Sequence, residues 1–202
     1  PRSTLSSSSA ASDVYKRQAE DRVADCTDFE AQEAGTSLGR YPAGGPYWFR
    51  MNPTRDTANE QGLSDLIISE IMYHPADPNE EYIELYNPTA EEIFLETPAG
   101  SWQLGGGVEF MFAAGLSIPV GGRLVIVGFD PEAEPSRLTA FVAAYGTGTL
   151  VAGVNVVGPW SGNLSNSSER LALEKPLVSD EPDEELRAIV DEVGYGDTAP
   201  WP

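Results

Sequence analysis

The chain has 202 residues, one cysteine and one histidine, and its 32 acidic against 12 basic residues give a formal charge of -20 at pH 7. Such a negative charge repels phosphate backbones and anionic lipids, which argues against nucleic-acid binding and against docking on acidic membranes. A single cysteine, Cys26, excludes an intramolecular disulfide, and a single histidine excludes zinc sites built from histidine pairs. No apolar run reaches the ~18 residues of a membrane-spanning helix. The composition suits a solvated extracellular or high-salt setting.

The first 18 residues are unlike the rest of the chain. Residues 8–18, SSAASDVYKRQ, match one reading frame of a transposase sequencing adapter at every position. We therefore predict that residues 1–18 are adapter-derived and disordered, and we exclude them from fold reasoning. The remaining chain is still more acidic, because Arg2, Lys16 and Arg17 leave with this segment. The sequence is then expected to be an environmental fragment whose native N-terminus, with any signal peptide, lies upstream.

Residues 19–61 are predicted to be the remnant of a preceding module followed by a linker. Tyr41, Trp48 and Phe49 are costly to leave in water, which favours folded structure in the first part. Residues 52–62 are rich in turn formers and charges, as interdomain linkers are. The alternative is a plain linker with two turns and a few aromatic residues.

From residue 63 onward the pattern is one of many short strands. Residues 66–73 and 82–86 are rich in strand-forming residues and flank a cluster of proline, aspartate and asparagine, which predicts a strand-turn-strand unit. Further strands are predicted at 93–96, 102–104, 108–112, 123–129, 154–157, 171–174 and 188–195. Short strands with frequent turn signals predict an all-β, mostly antiparallel sandwich.

One helix interrupts the strands. Leu138, Phe141, Val142 and Tyr145 recur at helical spacing and form a single apolar stripe, and Gly146 is a natural stop. We expect this short helix to cross one end of the sandwich and to close it.

Several motifs follow one another in a characteristic order. They are Ser69-Glu70-Ile71, then Glu81, Glu84, Leu85 and Asn87, the turn Pro119-Val120-Gly121-Gly122 into a buried strand, the run from Gly158 to Leu173 with Ser-Gly-Asn-Leu-Ser-Asn, and the closing strand 190–197. In this order they resemble the lamin-tail domain, an immunoglobulin-like antiparallel β-sandwich, over residues 62–202. Ser69 stands where this family usually has asparagine. Residues 32–59 are similar to the closing part of a preceding module.

The resemblance implies a role in holding and binding rather than catalysis. We expect a non-catalytic adhesion or scaffold module of a larger bacterial protein, extracellular or at the cell surface. Its partners would be neighbouring domains of the same polypeptide and a protein or glycan ligand, with neither nucleic acid nor membrane insertion. One alternative is an ancillary domain of a secreted enzyme whose catalytic part lies outside the sequence, and another is a Ca²⁺-dependent adhesin.

Two carboxylates on predicted strands raise the question of catalysis. Alternation places Glu70 on one face with Ile68 and Met72. It likewise places Asp191 on one face with Ile189 and Val193. Two such carboxylates form an acid/base pair of the glycosidase kind if they face each other. The favoured interpretation is structural, because a buried carboxylate needs backbone N–H groups or an arginine as partners.

A weak calcium motif lies in the first predicted turn. Asp77, Asn79 and Glu81 alternate, with Glu80 between them, and oxygen ligands of this kind suit Ca²⁺. The segment lacks the glycine and the spacing of an EF-hand, so a solvated turn is favoured. The acidic run 180–185 is predicted to be a solvated loop.

The remaining candidates are a histidine and a set of aromatic residues. His74 precedes a proline at a strand end, where a role in the turn is favoured over membership of a catalytic triad. The aromatic set is Trp102, Phe110, Phe112, Trp160 and Trp201. These rings form a glycan platform only if several are exposed together, and core packing is favoured. The sequence therefore predicts no catalytic residue, no cofactor and no metal site.

Overall fold

The structure is a computed structural model that describes residues 16–17, 22–23, 32–45, 48–60, 66–76, 81–145, 148–178 and 185–197. The chain divides into two compact units, Pro1–Ala31 and Gln32–Pro202. In the first unit, β1 (Lys16–Arg17) pairs antiparallel with β2 (Arg22–Val23). The division of the chain after residues 18 and 61 stays a prediction.

The described part of the second unit is built from short strands and one helix. The first strands are β3 (Ser37–Arg40), β4 (Trp48–Met51), β5 (Ile67–Met72), β6 (Tyr82–Tyr86), β7 (Ile93–Phe94), β8 (Glu96–Thr97), β9 (Gly100–Ser101), β10 (Gln103–Gly106) and β11 (Val108–Met111). They are followed by β12 (Ser117–Ile118), β13 (Arg123–Val127), α1 (Pro135–Tyr145), β14 (Val156–Val157), β15 (Ser161–Gly162), β16 (Ser168–Leu177) and β17 (Leu186–Gly196). The first predicted strand pair is confirmed as the antiparallel pair β5–β6.

Two sheets form the body of this unit. One has the strand order β14-β13-β6-β5, and the other has the order β15-β11-β10-β16-β17. Neighbouring strands are antiparallel except for β13 and β14, which run parallel. The predicted all-β sandwich with one short helix is confirmed.

The core lies between the two sheets because successive side chains of a strand point to opposite faces. In the four-stranded sheet, Ile83 and Leu85 of β6 and Leu124 and Ile126 of β13 point inward. The five-stranded sheet contributes Leu104, Val108, Leu171, Leu173 and Val190 to the same cluster. Burying each such side chain stabilises the fold by about 1.5–3 kcal/mol.

Helix α1 lies on the outer face of the four-stranded sheet. Phe141 is buried, and Leu138 and Tyr145 pack with it in a cluster that contains Tyr82 and Val127. These two strand residues point away from the core, because they alternate with Ile83 and Ile126. The expected position of the helix at an end of the sandwich is therefore wrong, since the apolar stripe covers a second apolar sheet face. Gly146, the predicted stop, lies outside the described residues.

A β-bulge in β5 changes which side chains face the core. Ile68 pairs with Leu85 and Glu70 pairs with Glu84, so Ser69 is an extra residue without a counterpart in β6. One inserted residue reverses the alternation beyond it. The prediction that Glu70 shares a face with Ile68 is therefore wrong, because Glu70 points outward.

Candidate functional site

The carboxylate of Asp191 joins the two sheets. Asp191 lies opposite Leu173 in the β16–β17 pair, on the inner face of that sheet, and it is half-buried. The prediction that Asp191 shares a face with Ile189 is wrong, because a register shift pairs Ile189 with Glu174, the next residue of β16. Its Oδ2 accepts a hydrogen bond of 2.7 Å from the backbone N–H of Ile68 in β5. Burial raises the pKa of the Asp191 carboxyl, the hydrogen bonds from Ile68 and Glu192 lower it, and repulsion by Glu192 raises it further. The predicted role of Asp191 as an acceptor of backbone N–H groups is confirmed.

Glu70 lies on the other side of the same sheet. Its Oε1 accepts a hydrogen bond of 2.7 Å from the Tyr82 hydroxyl, on the face that carries α1. Burial and the adjacent Glu70 carboxylate raise the pKa of Tyr82, since both disfavour a phenolate. Glu70 and Asp191 are thus separated by the four-stranded sheet. They do not form the facing pair that an acid/base mechanism needs.

A second polar group lies beside Glu70 on this outer face. Glu84 accepts hydrogen bonds from Ser69 Oγ at 2.7 Å and from Arg123 Nε at 3.0 Å. The Arg123 guanidinium lies 4.6 Å from the centroid of the Tyr86 ring. Ser69, which replaces the usual asparagine of the resembled family, therefore uses its hydroxyl to tie the bulge to the neighbouring strand.

Two carboxylates approach each other where β6 begins and β16 begins. Burial raises the pKa of Glu81, a hydrogen bond from the backbone of Leu164 lowers it, and repulsion by Glu169 raises it further. Glu169 Oε2 accepts hydrogen bonds from Ser165 N at 2.9 Å and from the Tyr195 hydroxyl at 3.2 Å. Sequence reasoning missed this association, because Glu81 and Glu169 are far apart in the chain.

A stack of two tyrosine rings lies next to the Glu169 carboxylate. The rings of Tyr73 and Tyr195 lie with their centroids 4.4 Å apart and their planes at 23°. Burial and the Glu169 carboxylate raise the pKa of Tyr195, so its hydroxyl is a stable donor. The stack links the ends of β5 and β17, the two strands that Asp191 also joins.

The calcium motif is only partly described. Asp77, Asn79 and Glu80 lie outside the described residues, and so does most of the acidic run 180–185. Within the described part of the chain, no group of three or more histidine, cysteine, aspartate or glutamate side chains is arranged to hold a metal ion. Glu81 is therefore the one member of the motif whose surroundings are known.

The other sequence candidates are placed as follows. His74 is exposed in the residues directly after β5. Trp102, Phe112 and Trp160 are buried, and Phe110 packs against the same core. Core packing is therefore confirmed for these four rings, whereas Trp201 and Cys26 lie outside the described residues.

Asn87 has a role that its motif did not reveal. Its side chain is fully buried, and Nδ2 donates to the carbonyl oxygens of Glu91, Ile118 and Pro119 at 2.8, 2.9 and 3.2 Å. Its Oδ1 accepts from the backbone N–H and the hydroxyl of Thr89 at 2.9 and 2.7 Å. One amide therefore fixes the end of β6 to the turn between β12 and β13. The signal in the sequence was the place of Asn87 directly after a buried strand and before a proline.

Two polar side chains hold parts of the β-sandwich together. Asp191 binds the backbone of a strand in the opposite sheet, and Asn87 binds backbone carbonyl oxygens at the turn between β12 and β13. Among the residues that the structure describes, no helical segment has the length and apolarity needed to cross a lipid bilayer. The family model of the Lamin Tail Domain matches residues 59–197, and the chain belongs to this family. A search of curated proteins found no match.

Proposed function

We propose that the protein is a non-catalytic structural or binding module of a larger extracellular or cell-surface protein. The observation that carries this proposal is the use of Asp191, whose carboxylate accepts a backbone N–H between the two sheets. A carboxylate committed to the backbone in this way holds strands together. Glu70 lies on the opposite side of the sheet, bonded to a tyrosine hydroxyl.

The net charge of the chain supports the proposed extracellular or cell-surface location. A formal charge of -20 keeps an isolated domain solvated and repels nucleic acid and acidic membranes. The ligand of such a module is then a protein or a glycan, and neighbouring domains of the same polypeptide are its constant partners. The alternative is an ancillary domain of a secreted enzyme with its catalytic residues elsewhere.

The experiment has two arms. The full chain is assayed for turnover of glycosides, esters and phosphodiesters, and the variant Asp191→Asn serves as the control that removes the candidate acid. Turnover by the wild type that Asp191→Asn abolishes, with the fold intact by circular dichroism, contradicts the non-catalytic proposal. Extending the open reading frame separates the alternatives, because an adjoining catalytic domain supports the ancillary role.

A calcium-dependent adhesion module is the second candidate. Repulsion between Glu81 and Glu169 is the observation that favours it, since a divalent cation bound there would relieve that repulsion. The test is a calcium titration of thermal stability.

A further inference from the structure

The carboxylate of Glu33 connects the β3–β4 hairpin with the sandwich. Glu33 Oε2 lies 2.6 Å from Nη1 of Arg50 in β4 and 3.1 Å from Nζ of Lys175 in β16. Arg50 belongs to the hairpin and Lys175 belongs to the five-stranded sheet. This side chain therefore joins two parts of the fold that no strand pairing connects among the described residues.

Both cations are withdrawn from solvent. The side chains of Arg50 and Lys175 are only 9% and 11% exposed, whereas that of Glu33 is 47% exposed. The Lys175 ammonium also lies 5.8 Å from the centroid of the buried Trp102 ring. Lysine is almost never buried without a paired charge, and a pair with one buried member is screened less than a surface pair. Because Lys175 is withdrawn from solvent, its ion pair with Glu33 is screened less than an ion pair between two exposed side chains.

The residues after the hairpin fold back onto it. Asn59 Nδ2 donates to the backbone oxygen of Arg40 at 2.8 Å, and Asn59 Oδ1 accepts from the Thr54 hydroxyl at 2.9 Å. Met51 is buried, and its sulfur lies 2.6 Å from the place where a Cβ at Gly39 would be. Residues 33–45 and 48–60, here called the hairpin arm, therefore pack together around β3 and β4.

We propose that the hairpin arm is an integral, docked part of this domain, and that Glu33 is the latch that holds it on the sandwich at Lys175. The family match begins at residue 59, so the folding unit is longer than the matched segment on its N-terminal side. On the sandwich, the contact with the arm is made at Lys175 of β16. The inference concerns the folding unit and does not depend on the proposed function.

Amide hydrogen exchange of the full chain tests the latch. Glu33→Gln keeps the size of the side chain and removes its charge, and Glu60→Gln, at an exposed position in the same arm, is the matched control. We expect exchange in β3 and β4 to become about tenfold faster in Glu33→Gln, because local opening becomes easier when the buried cations lose this carboxylate. The amides of β16 and β17 keep their wild-type rates, and Glu60→Gln leaves both regions unchanged.

A double-mutant cycle with Lys175→Met supplies the second measurement. If Glu33 acts through Lys175, the two substitutions together accelerate arm exchange by less than the product of their separate effects. Multiplicative effects overturn the proposal, and so does wild-type exchange of the arm in Glu33→Gln. Equal acceleration of β16–β17 and of the arm also overturns it, because the arm would then open only when the whole domain unfolds.

Discussion

Asp191 in β17 accepts the backbone N–H of Ile68 in β5 at 2.7 Å, and the two residues are 123 positions apart in the chain. Each lies in the edge strand of its own sheet, so this hydrogen bond closes one seam of the sandwich. Because β5 is an edge strand, the N–H groups on its outer side have no neighbouring strand to donate to. The Asp191 carboxylate supplies the acceptor for the Ile68 N–H.

Replacing Asp191 by alanine is expected to lower the free energy of unfolding by about 1–3 kcal/mol, the cost of a backbone donor left without its partner. Asp191→Asn retains an oxygen that accepts the same bond, so its loss at pH 7 is expected to be smaller than that of Asp191→Ala. Urea denaturation of the full chain measures both. Equal losses in the two variants would show that the acceptor oxygen is not what stabilises the seam.

The raised pKa of Asp191 predicts a pH dependence. The folded protein holds the proton more tightly than the unfolded chain does, so stability from this group is greatest below the ordinary value of 3.8 and is lost as the pH rises through the folded pKa. Repulsion among the many acidic residues gives a slope of the same sign, so the wild type alone is not diagnostic. The free-energy difference, Asp191→Asn minus wild type, isolates the group and should increase from pH 4 to pH 7. A difference that stays flat over this range contradicts the shift.

How much of this structure the sequence predicts depends on how local each signal is. The strands β5 and β6 follow from alternating residues and a turn cluster, which are local patterns. The outward position of Glu70 does not follow from local patterns. It depends on the bulge at Ser69, which is set by the pairing of β5 with β6. The position of α1 depends on a second apolar sheet face, and the bonds of Asn87 reach Ile118, 31 residues away. Contacts between residues that are so far apart in the chain produce no periodic pattern in the sequence.

Asn87 is expected to be among the most sensitive polar positions. Asn87→Ala leaves the carbonyl oxygens of Ile118 and Pro119 without this donor, and a loss of about 2–4 kcal/mol in unfolding free energy is expected. Asn87→Asp should be at least as destabilising at pH 7, because it sets a carboxylate oxygen against carbonyl oxygens. Asn52→Ala, at an exposed position, is the control and should lie within about 0.5 kcal/mol of wild type. Near-neutral Asn87 variants by chemical denaturation would refute this account of the turn.

We predict that the packing of helix α1 on the sheet depends on the Phe141 ring. Phe141 is 2% exposed and makes an edge contact with Tyr82 at a centroid distance of 5.6 Å. Phe141→Ala should lower the unfolding free energy by about 3–5 kcal/mol through the lost burial and the cavity. Ala143→Ser, on the exposed side of α1, should change it by less than about 0.5 kcal/mol. Thermal or urea unfolding measures both, and similar effects at the two positions would mean that the helix is not anchored on the sheet.

Calcium distinguishes the two candidate functions. A structural module that needs no metal should keep its melting temperature when millimolar Ca²⁺ is added and when a chelator is present. A site at Glu81 would instead raise the melting temperature with calcium concentration, since a ligand that binds only the folded state stabilises it. Glu81→Gln is the matched variant, because it keeps the size of the side chain and removes the charge that repels Glu169. A calcium-induced rise in the wild type that Glu81→Gln abolishes favours the adhesin and removes the metal-free module from consideration.

An increase in stability of Glu81→Gln without calcium is expected in either case, because the substitution removes the desolvation of a half-buried carboxylate and its repulsion with Glu169.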